Sequence, residues 1–444
     1  MIHCFSINGR NLVLDVGSGS LHQVSDATLP VLQNTTPDKL LNTPPGQLSD
    51  IEVALRSLVE AKQLFTPDNT PAVDAHMENR KPVVKALCLH MAHDCNLRCK
   101  YCFAGDGTYN VNAIDRGLMP LDVGKKALDF LIANSGKRRN LEVDFFGGEP
   151  MLNFDTVKAL VAYGRQREVE AGKKFRFTLT TNGALLTDEA NAYINQHFDN
   201  VVLSLDGRPH VHDNMRLNHA GQGSYDQIYP RVKALADARN QENYYVRGTF
   251  TRHNTDFAAD VMHLADAGFQ QISVEPVVAP PEADYALRES DLPTLFAEYE
   301  KLADQLLARE QAGKGVHFFH FVMDMEGGPC LAKRVTGCGA GSEYLAVTPS
   351  GQLYPCHQFV GDETFHLGDL DTGVLKTDLI KDFAKCHVFA KPECATCWAR
   401  YYCSGGCMAN AHHSNGSISA PDRISCALQK KRIECALYML ACRS

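Results

Sequence analysis

The chain has 444 residues, more than one hydrophobic core usually serves, so two or three domains are expected. A formal net charge of −8 argues against a nucleic-acid-binding surface, and no apolar run approaches the ~18 residues that span a bilayer. The first ten residues lack a basic segment followed by an apolar one, so we expect no signal peptide, no membrane contact and a cytoplasmic location.

Residues 1–66 predict three short strands followed by helices. The turn Asn8-Gly9 separates the first two strands, and Ser49 offers an N-cap for the clearest helix. This order is typical of a small winged-helix-like unit, whose exposed sheet edge can take up an extended peptide as an added strand. A structural or DNA-binding winged helix is the alternative, and the acidic residues count against DNA. Residues 67–83 are polar and rich in proline, which predicts a linker.

From residue 84 to 290, short apolar runs alternate with longer helical patterns. Strands are predicted at 86–90, 141–146, 175–180, 200–205, 244–251 and 271–276, with helices between them, for example at 121–134, 154–170, 225–238 and 256–267. This alternation predicts an α/β fold with a parallel sheet, open or closed into a barrel, and ligands at the carboxyl ends of its strands. Residues 291–319 predict a connecting helix. Residues 320–444 look loop-rich, so something other than a large apolar core must hold them.

Sixteen cysteines are unevenly spread along the chain. One precedes residue 80, four lie between 88 and 102, none occurs from 103 to 329, and eleven follow. In a reducing compartment such clusters bind metal or do catalysis more often than they form disulfides. The distribution therefore predicts two separate metal regions.

The first region contains Cys95, Cys99 and Cys102, directly after a predicted strand. Three thiolates can bind three irons of a [4Fe–4S] cube and leave the fourth iron open. A zinc site is the alternative, with a fourth ligand from His90, His93 or Asp94.

The Cys-x3-Cys-x2-Cys spacing, followed after the next strand by Gly147-Gly-Glu-Pro150, resembles the radical SAM superfamily. The resemblance implies that S-adenosylmethionine (SAM) chelates the open iron, and that an electron from the cluster cleaves it to release a 5′-deoxyadenosyl radical. It also implies the residues that contact SAM: Gly147, Gly148 and Glu149 for the amino group, Asn182, Ser204 and Asp206 for the ribose, Arg216 for a carboxylate, and Tyr101 and Val277 for the adenine.

The second region resembles the SPASM domain, an accessory module of radical SAM enzymes that modify peptides and proteins. Its spacing is Cys338-x17-Cys356, then Cys394-x2-Cys397-x5-Cys403-x3-Cys407, then Cys426. The resemblance implies two auxiliary [4Fe–4S] clusters, three clusters in all. One would be held by Cys394, Cys397, Cys403 and Cys426, and the other by Cys338, Cys356 and Cys407, with Cys330 as ligand or as free thiol.

Three subfamilies compete for the activity. Formylglycine-forming maturases have an acidic base directly after the cysteine of the Gly-x4-Cys element, where this chain has His357. Carbon–carbon cross-linking enzymes of cofactor synthesis use a separate leader-binding protein. The opening Met-Ile-His-x-Phe, the segment at 337–351 and Tyr-Pro-Cys-His-Gln-Phe at 354–359 resemble the thioether-forming SCIFF peptide maturases, whose substrate is a small Cys-rich peptide.

Taken with the alternating strands and helices, these resemblances imply a partial parallel (β/α)6 barrel flanked by an N-terminal peptide-recognition domain and a C-terminal SPASM domain. The expected activity is thioether formation between a peptide cysteine and a carbon of another residue. The expected partners are a Cys-rich precursor peptide with a leader, and a reductant such as flavodoxin or ferredoxin. A non-enzymatic iron–sulfur or zinc scaffold is the alternative, and it leaves the residues at the strand ends without a role.

Overall fold

The computed structural model describes residues 1–67, 73–75, 77, 81, 83–109, 117–323, 325 and 331–443. Most of the predicted linker at 67–83 therefore lies outside the described residues. Within these ranges the chain forms three-stranded, eleven-stranded and two-stranded sheets. No helix in the described part of the chain has both the length and the apolar character needed to cross a membrane.

An antiparallel three-stranded sheet begins the chain, with β1 at Ile2–Ile7, β2 at Arg10–Asp15 and β3 at Leu21–Val24. Asn8 and Gly9, with φ of 49° and 78°, form the two-residue hairpin between β1 and β2. Three helices follow: α1 Thr28–Asn34, α2 Pro37–Asn42 and α3 Asp50–Glu60. Ser49 caps α3 in a reciprocal capping box with Glu52.

The other elements alternate strands and helices through most of the chain. The strands are β4 Ala86–Ala92, β5 Leu97–Cys99, β6 Asn140–Gly147, β7 Lys174–Thr181, β8 Asn200–Ser204, β9 Arg216–Asn218, β10 Tyr244–Phe250, β11 Gln271–Pro276, β12 His317–Phe318, β13 Tyr344–Val347, β14 Gln352–Tyr354, β15 Gly368–Asp369 and β16 Gly373–Val374. The helices are α4 Leu121–Asn134, α5 Phe154–Ala171, α6 Asp188–His197, α7 Pro209–Met215, α8 Tyr225–Ala238, α9 Ala258–Asp266, α10 Leu292–Gln311, α11 Leu331–Thr336, α12 Thr377–Lys385, α13 Pro392–Ala395, α14 Arg400–Cys403, α15 Met408–Asn415 and α16 Arg423–Arg443.

The large sheet has the order β12-β11-β10-β8-β7-β6-β4-β13-β14-β15-β16. Six of its strands, from β4 to β11, are parallel and lie in chain order. The predicted α/β class is confirmed, and helices cover this parallel part as the alternation requires. The two-stranded sheet pairs β5 with β9.

The C-terminal region contains more regular structure than its composition predicts. β13 joins the large sheet beside β4, with Ala346 opposite Cys88, and β14 to β16 extend that sheet as antiparallel strands. Helix α16 is 21 residues long. The expectation of a region short of regular elements was therefore wrong for these strands and for α16. Strands of two to four residues leave almost no periodic pattern in a sequence.

Strand alternation divides the side chains of the large sheet between two faces. Leu87, Leu89 and Phe145 pack with the helices in the main core. Cys88 lies instead in a second apolar cluster that includes Cys356, with Phe146 packed against it. We call the face that carries Cys88, His90, Asp144 and Phe146 the inner face.

The N-terminal sheet contributes to two cores. Val13 packs with Leu32, Leu40 and Leu55 from α1 to α3. Phe5, Ile7, Leu12 and Leu14 belong to the main core together with Leu428 and Leu437 of α16. The N-terminal sheet is therefore packed between its own helices and the last helix of the chain.

Candidate active site

The structure brings Cys95, Cys99 and Cys102 together at the carboxyl end of β4. Burial raises the pKa of Cys95 and of Cys99 to about 12, and the nearby thiol of Cys102 adds to both shifts. Thiols with such pKa values are protonated in the free chain and become thiolates when they bind metal. Three soft thiol donors carried by one loop fit an iron–sulfur cluster.

The alternative zinc site, with His90, His93 or Asp94 as the fourth ligand, stays a prediction. Among the described residues, no three His, Cys, Asp or Glu side chains converge closely enough to hold a single metal ion. His90 and His93 are buried and bond to each other, with 3.0 Å between Nδ1 of His90 and Nε2 of His93. In a [4Fe–4S] cluster each thiolate binds a different iron, so the three sulfur atoms can lie farther apart than the ligands of a single metal ion.

Gly147 and Gly148 shape the loop that holds the triad. A Cβ on Gly148 would lie 2.0 Å from the carbonyl oxygen of Asp94, and one on Gly147 would lie 2.5 Å from that of Ala92. The amide of Gly148 donates to the carbonyl of Ala92 at 2.8 Å. The two glycines are therefore required by close packing against the backbone that leads into Cys95.

Glu149 is buried just behind these glycines. Its carboxylate accepts hydrogen bonds from Oγ1 of Thr181 at 2.7 Å, from the amide of Asn182 at 2.8 Å and from the amide of Met151 at 3.1 Å. Burial raises the pKa of Glu149 to about 7, and these three donors oppose that rise. With about four acceptor positions on a carboxylate, one position is left for an external cation such as an amino group.

Asp206, Arg216 and Tyr101 form one buried hydrogen-bonded group. Nε and Nη2 of Arg216 each donate to Asp206 at 3.1 Å, and the hydroxyl of Tyr101 donates to Asp206 at 2.5 Å. The amide of Thr249 adds a fourth hydrogen bond at 2.9 Å. The fork of Arg216 thus binds a carboxylate of the chain itself. As a ribose ligand, Asp206 would have to give up one of these donors.

The other predicted SAM contacts lie at strand ends. Asn182 follows β7 and donates to Oδ1 of Asn96 at 2.8 Å, with Sγ of Cys95 at 3.6 Å from the same amide. Ser204 ends β8 half-buried. Val277 follows β11, and its amide donates to the carbonyl of Phe250 at 2.8 Å. Asn182 is thus placed directly against the triad.

Sequence reasoning missed the small sheet that connects these groups. β5 pairs with β9, so that Cys99 lies opposite Arg216. Tyr109 was also missed, although its hydroxyl donates to the carbonyl of Gly147 at 3.1 Å. No signal in the sequence indicates either contact, because three-residue strands and single tyrosines occur throughout any chain.

The C-terminal cysteines fall into two spatial groups. In the first, burial raises the pKa of Cys394 to about 11, and Cys403, Cys426 and Cys397 add to the effect. In the second, burial raises the pKa of Cys356 above its usual range, with Cys407 and Cys338 contributing. Apart from Cys330, each group contains the cysteines of one ligand set that the SPASM resemblance implies, and their role as ligands stays a prediction. Cys330 lies outside the described residues, so its role stays a prediction.

His357, beside Cys356, reaches the inner face. Its ring centroid lies 4.9 Å from that of Phe146 and 5.4 Å from that of Phe103. Nδ1 lies 3.3 Å from the hydroxyl of Tyr344 on β13. Burial lowers the pKa of His357 to about 4, so the imidazole is neutral at physiological pH.

Comparisons with known proteins agree with this arrangement. The profile of the 4Fe-4S single cluster domain family matches residues 84–230. The radical SAM cyclopropyl synthase TigE of Paramaledivibacter caminithermalis is 22% identical over 78% of this chain and 72% of its own length. A cysteine-type anaerobic sulfatase-maturating enzyme of Clostridium novyi is 25% identical over 77% of this chain and 92% of its own.

Among solved structures, anSMEcpe with bound AdoMet and Kp18Cys peptide has a TM-score of 0.66 and 20% identity. The match covers 81% of this chain and 99% of that one, which shows that the fold is shared. Together, these relatives confirm the predicted resemblance of this chain to radical SAM maturases of peptides and proteins.

Proposed function

We propose that this chain installs thioether cross-links, from a cysteine sulfur to a carbon of another residue, in a ribosomally made Cys-rich peptide. The observation that carries the proposal is the grouping of cysteines at three places, one at the strand ends and two in the C-terminal region. Joining a thiol to a C–H carbon releases two electrons and two protons. The substrate therefore needs an electron acceptor besides the group that takes its hydrogen atom.

Residues at the strand ends would hold the first cofactors. Cys95, Cys99 and Cys102 would bind a [4Fe–4S] cluster, and Glu149 has an acceptor position left for the amino group of SAM. Bound there, SAM would supply the radical that removes hydrogen from the peptide carbon. Asp206 and Arg216 would keep Tyr101 and the triad loop in place around it.

The C-terminal cysteines would hold two auxiliary clusters in a SPASM-like domain spanning residues 320–444. One of these clusters would take the second electron, and a flavodoxin or ferredoxin would exchange electrons with the enzyme. The peptide thiol would lose its proton as its sulfur joins the carbon. Cys356 packs with Cys88 of the inner face, and His357 contacts Phe146 there. These contacts support a reaction of the peptide on that face.

The first 66 residues would bind the leader of the precursor. Within the described residues β1 and β3 are the two outer strands of the N-terminal sheet, so an extended peptide could pair with the edge of either one. The strands docked on α16 would then hold the leader close to the auxiliary clusters.

Carbon–carbon cross-linking and formylglycine formation are the alternatives, since sulfatase-maturating enzymes are among the relatives. Against formylglycine formation, the residue after Cys356 is the neutral His357 and not a carboxylate.

Anaerobic co-expression with a small Cys-rich precursor peptide that carries a leader, followed by mass spectrometry, separates these reactions. A thioether removes two hydrogen atoms and one alkylatable thiol per cross-link. A carbon–carbon bond removes the hydrogens and keeps every thiol, while formylglycine formation removes a cysteine sulfur from the peptide. Cys397→Ala should abolish the cross-link, and Cys442→Ala, at a cysteine outside both groups, should preserve it. A modified peptide with all of its thiols intact would refute the proposal.

A further inference from the structure

Lys391 is buried among the C-terminal cysteines. Its side chain is among the largest that are fully buried, with 1% of the residue exposed. Nζ donates to the carbonyl of Gly405 at 2.9 Å and also contacts the thiol of Cys386. No carboxylate of the described residues forms an ion pair with it.

Lys391 touches both segments that carry cluster cysteines. Its carbonyl accepts hydrogen bonds from the amides of Cys394 and Ala395, each at 2.9 Å. Its ammonium reaches Gly405, in the loop that runs from Cys403 of one group to Cys407 of the other. The ammonium therefore lies against the loop that links the two groups of thiols.

The surrounding loop is shaped around this side chain. Gly405 has a φ of +82°, and a Cβ there would lie 3.3 Å from Val388 and 3.6 Å from Nζ of Lys391. Burying an ammonium is unfavourable unless an anion compensates its charge. A carbonyl and a thiol are neutral, so the compensating charge must come from something else at this place.

We infer that Lys391 is the countercharge of the two auxiliary clusters and raises their reduction potentials. The inference rests on the proposed function, because it needs iron-bound thiolates at both groups. A cube bound by four thiolates is a net anion, and reduction makes it more negative. A fixed cation beside it therefore favours the reduced state. Lys391 is a positioning residue in this role. It acts on the peptide only through the auxiliary clusters, which accept the peptide's electron.

Two substitutions separate charge from packing. Lys391→Gln keeps a donor for Gly405 and removes the charge, whereas Lys391→Arg keeps the charge. Lys385→Gln, at an exposed lysine six residues earlier, is the matched control. The proteins are purified anaerobically, analysed for iron and sulfide, and titrated by EPR at controlled potentials. The signal of the Cys95 cluster in the same samples serves as the internal reference.

In Lys391→Gln, we expect the oxidised-to-reduced ratio of an auxiliary cluster at a fixed potential to rise about tenfold, a shift of about −60 mV for one electron. Lys391→Arg and Lys385→Gln should stay near wild type. If Lys391→Gln cannot load its auxiliary clusters, retention of their iron in Lys391→Arg supports the inference.

Unchanged potentials in Lys391→Gln would overturn the inference, and so would an Arg variant that behaves like the Gln variant. A wild-type protein with iron for one cluster only would refute the proposed function itself. The wild-type iron content thus tests the function, and the variants test the role of Lys391.

Discussion

The imidazole of His3 lies flat on the indole of Trp398, with ring centroids 3.7 Å apart and 4° between the ring planes. Nε2 of His3 also lies 3.0 Å from a carboxylate oxygen of Glu434 on α16. Trp398 directly follows Cys397, a predicted cluster ligand. The first strand of the chain is therefore fixed to the segment that would hold an auxiliary cluster.

His3→Ala should loosen the N-terminal sheet from the C-terminal region. The lost stacking and hydrogen bond should lower the free energy of unfolding by about 1–2 kcal/mol. Trp398 is the only tryptophan of the chain, so its emission reports the contact directly and should shift to longer wavelength. His22→Ala, at a histidine that bonds the carbonyl of Gln63, is the control. Emission and stability equal to wild type in His3→Ala would contradict the coupling.

Replacing Cys95, Cys99 and Cys102 together by alanine should abolish reductive cleavage of SAM. The C-terminal cysteines lie elsewhere in the fold, so the auxiliary clusters should remain, and iron should fall by roughly one third if three cubes are present. Iron analysis and anaerobic product analysis check both effects. Cleavage of SAM by the triple variant would disprove the role of the triad.

Gly148→Ala should remove the triad cluster while the ligands themselves are unchanged. Its Cβ would lie 2.0 Å from the carbonyl oxygen of Asp94, so the loop that leads into Cys95 must move. We expect loss of SAM cleavage with the auxiliary clusters retained. Gly46→Ala is the matched control, because a Cβ there meets nothing within 4 Å. A Gly148→Ala protein that cleaves SAM at the wild-type rate would contradict this packing argument.

Asp144 on the inner face should make stability depend on pH. Burial raises its pKa from 3.8 to about 7, although Thr180 and Arg247 oppose the shift. The folded state therefore binds this proton more tightly than the unfolded state, and stability falls as the pH rises from about 4 through 7.

Asp144→Asn removes this dependence. The stability advantage of this variant over wild type should grow by about 2 kcal/mol between about pH 5.5 and pH 8.5. Wild-type Asp144 loses its proton in the folded state within this range, and the rest of its effect on stability is already present at the lower pH. Anaerobic thermal unfolding at both pH values measures it, with exposed Asp382→Asn as the control. An advantage that stays constant across this range would show that the carboxyl of Asp144 titrates normally in the fold.

The sequence predicts those strands, helices and motifs whose pattern lies within one continuous segment of the chain. Strands such as β6 and β7 have regular patterns and end in polar or glycine residues, and the triad is contiguous. Contacts between distant segments leave no such signal. The pairing of Arg216 with Asp206, the burial of Lys391 and the stacking of His3 on Trp398 depend on how separate elements pack, and no periodicity in one segment reports its partner.

The position of β13 beside β4 has a consequence for how the chain is made. The ion pair of Lys85 and Glu343 at this junction joins residues 258 apart. At 5–20 residues per second, a ribosome needs on the order of ten seconds or more to cover that interval. During that time the edge of β4 that later pairs with β13 is open. Chains that end before residue 343 keep that apolar edge exposed, and such fragments should aggregate.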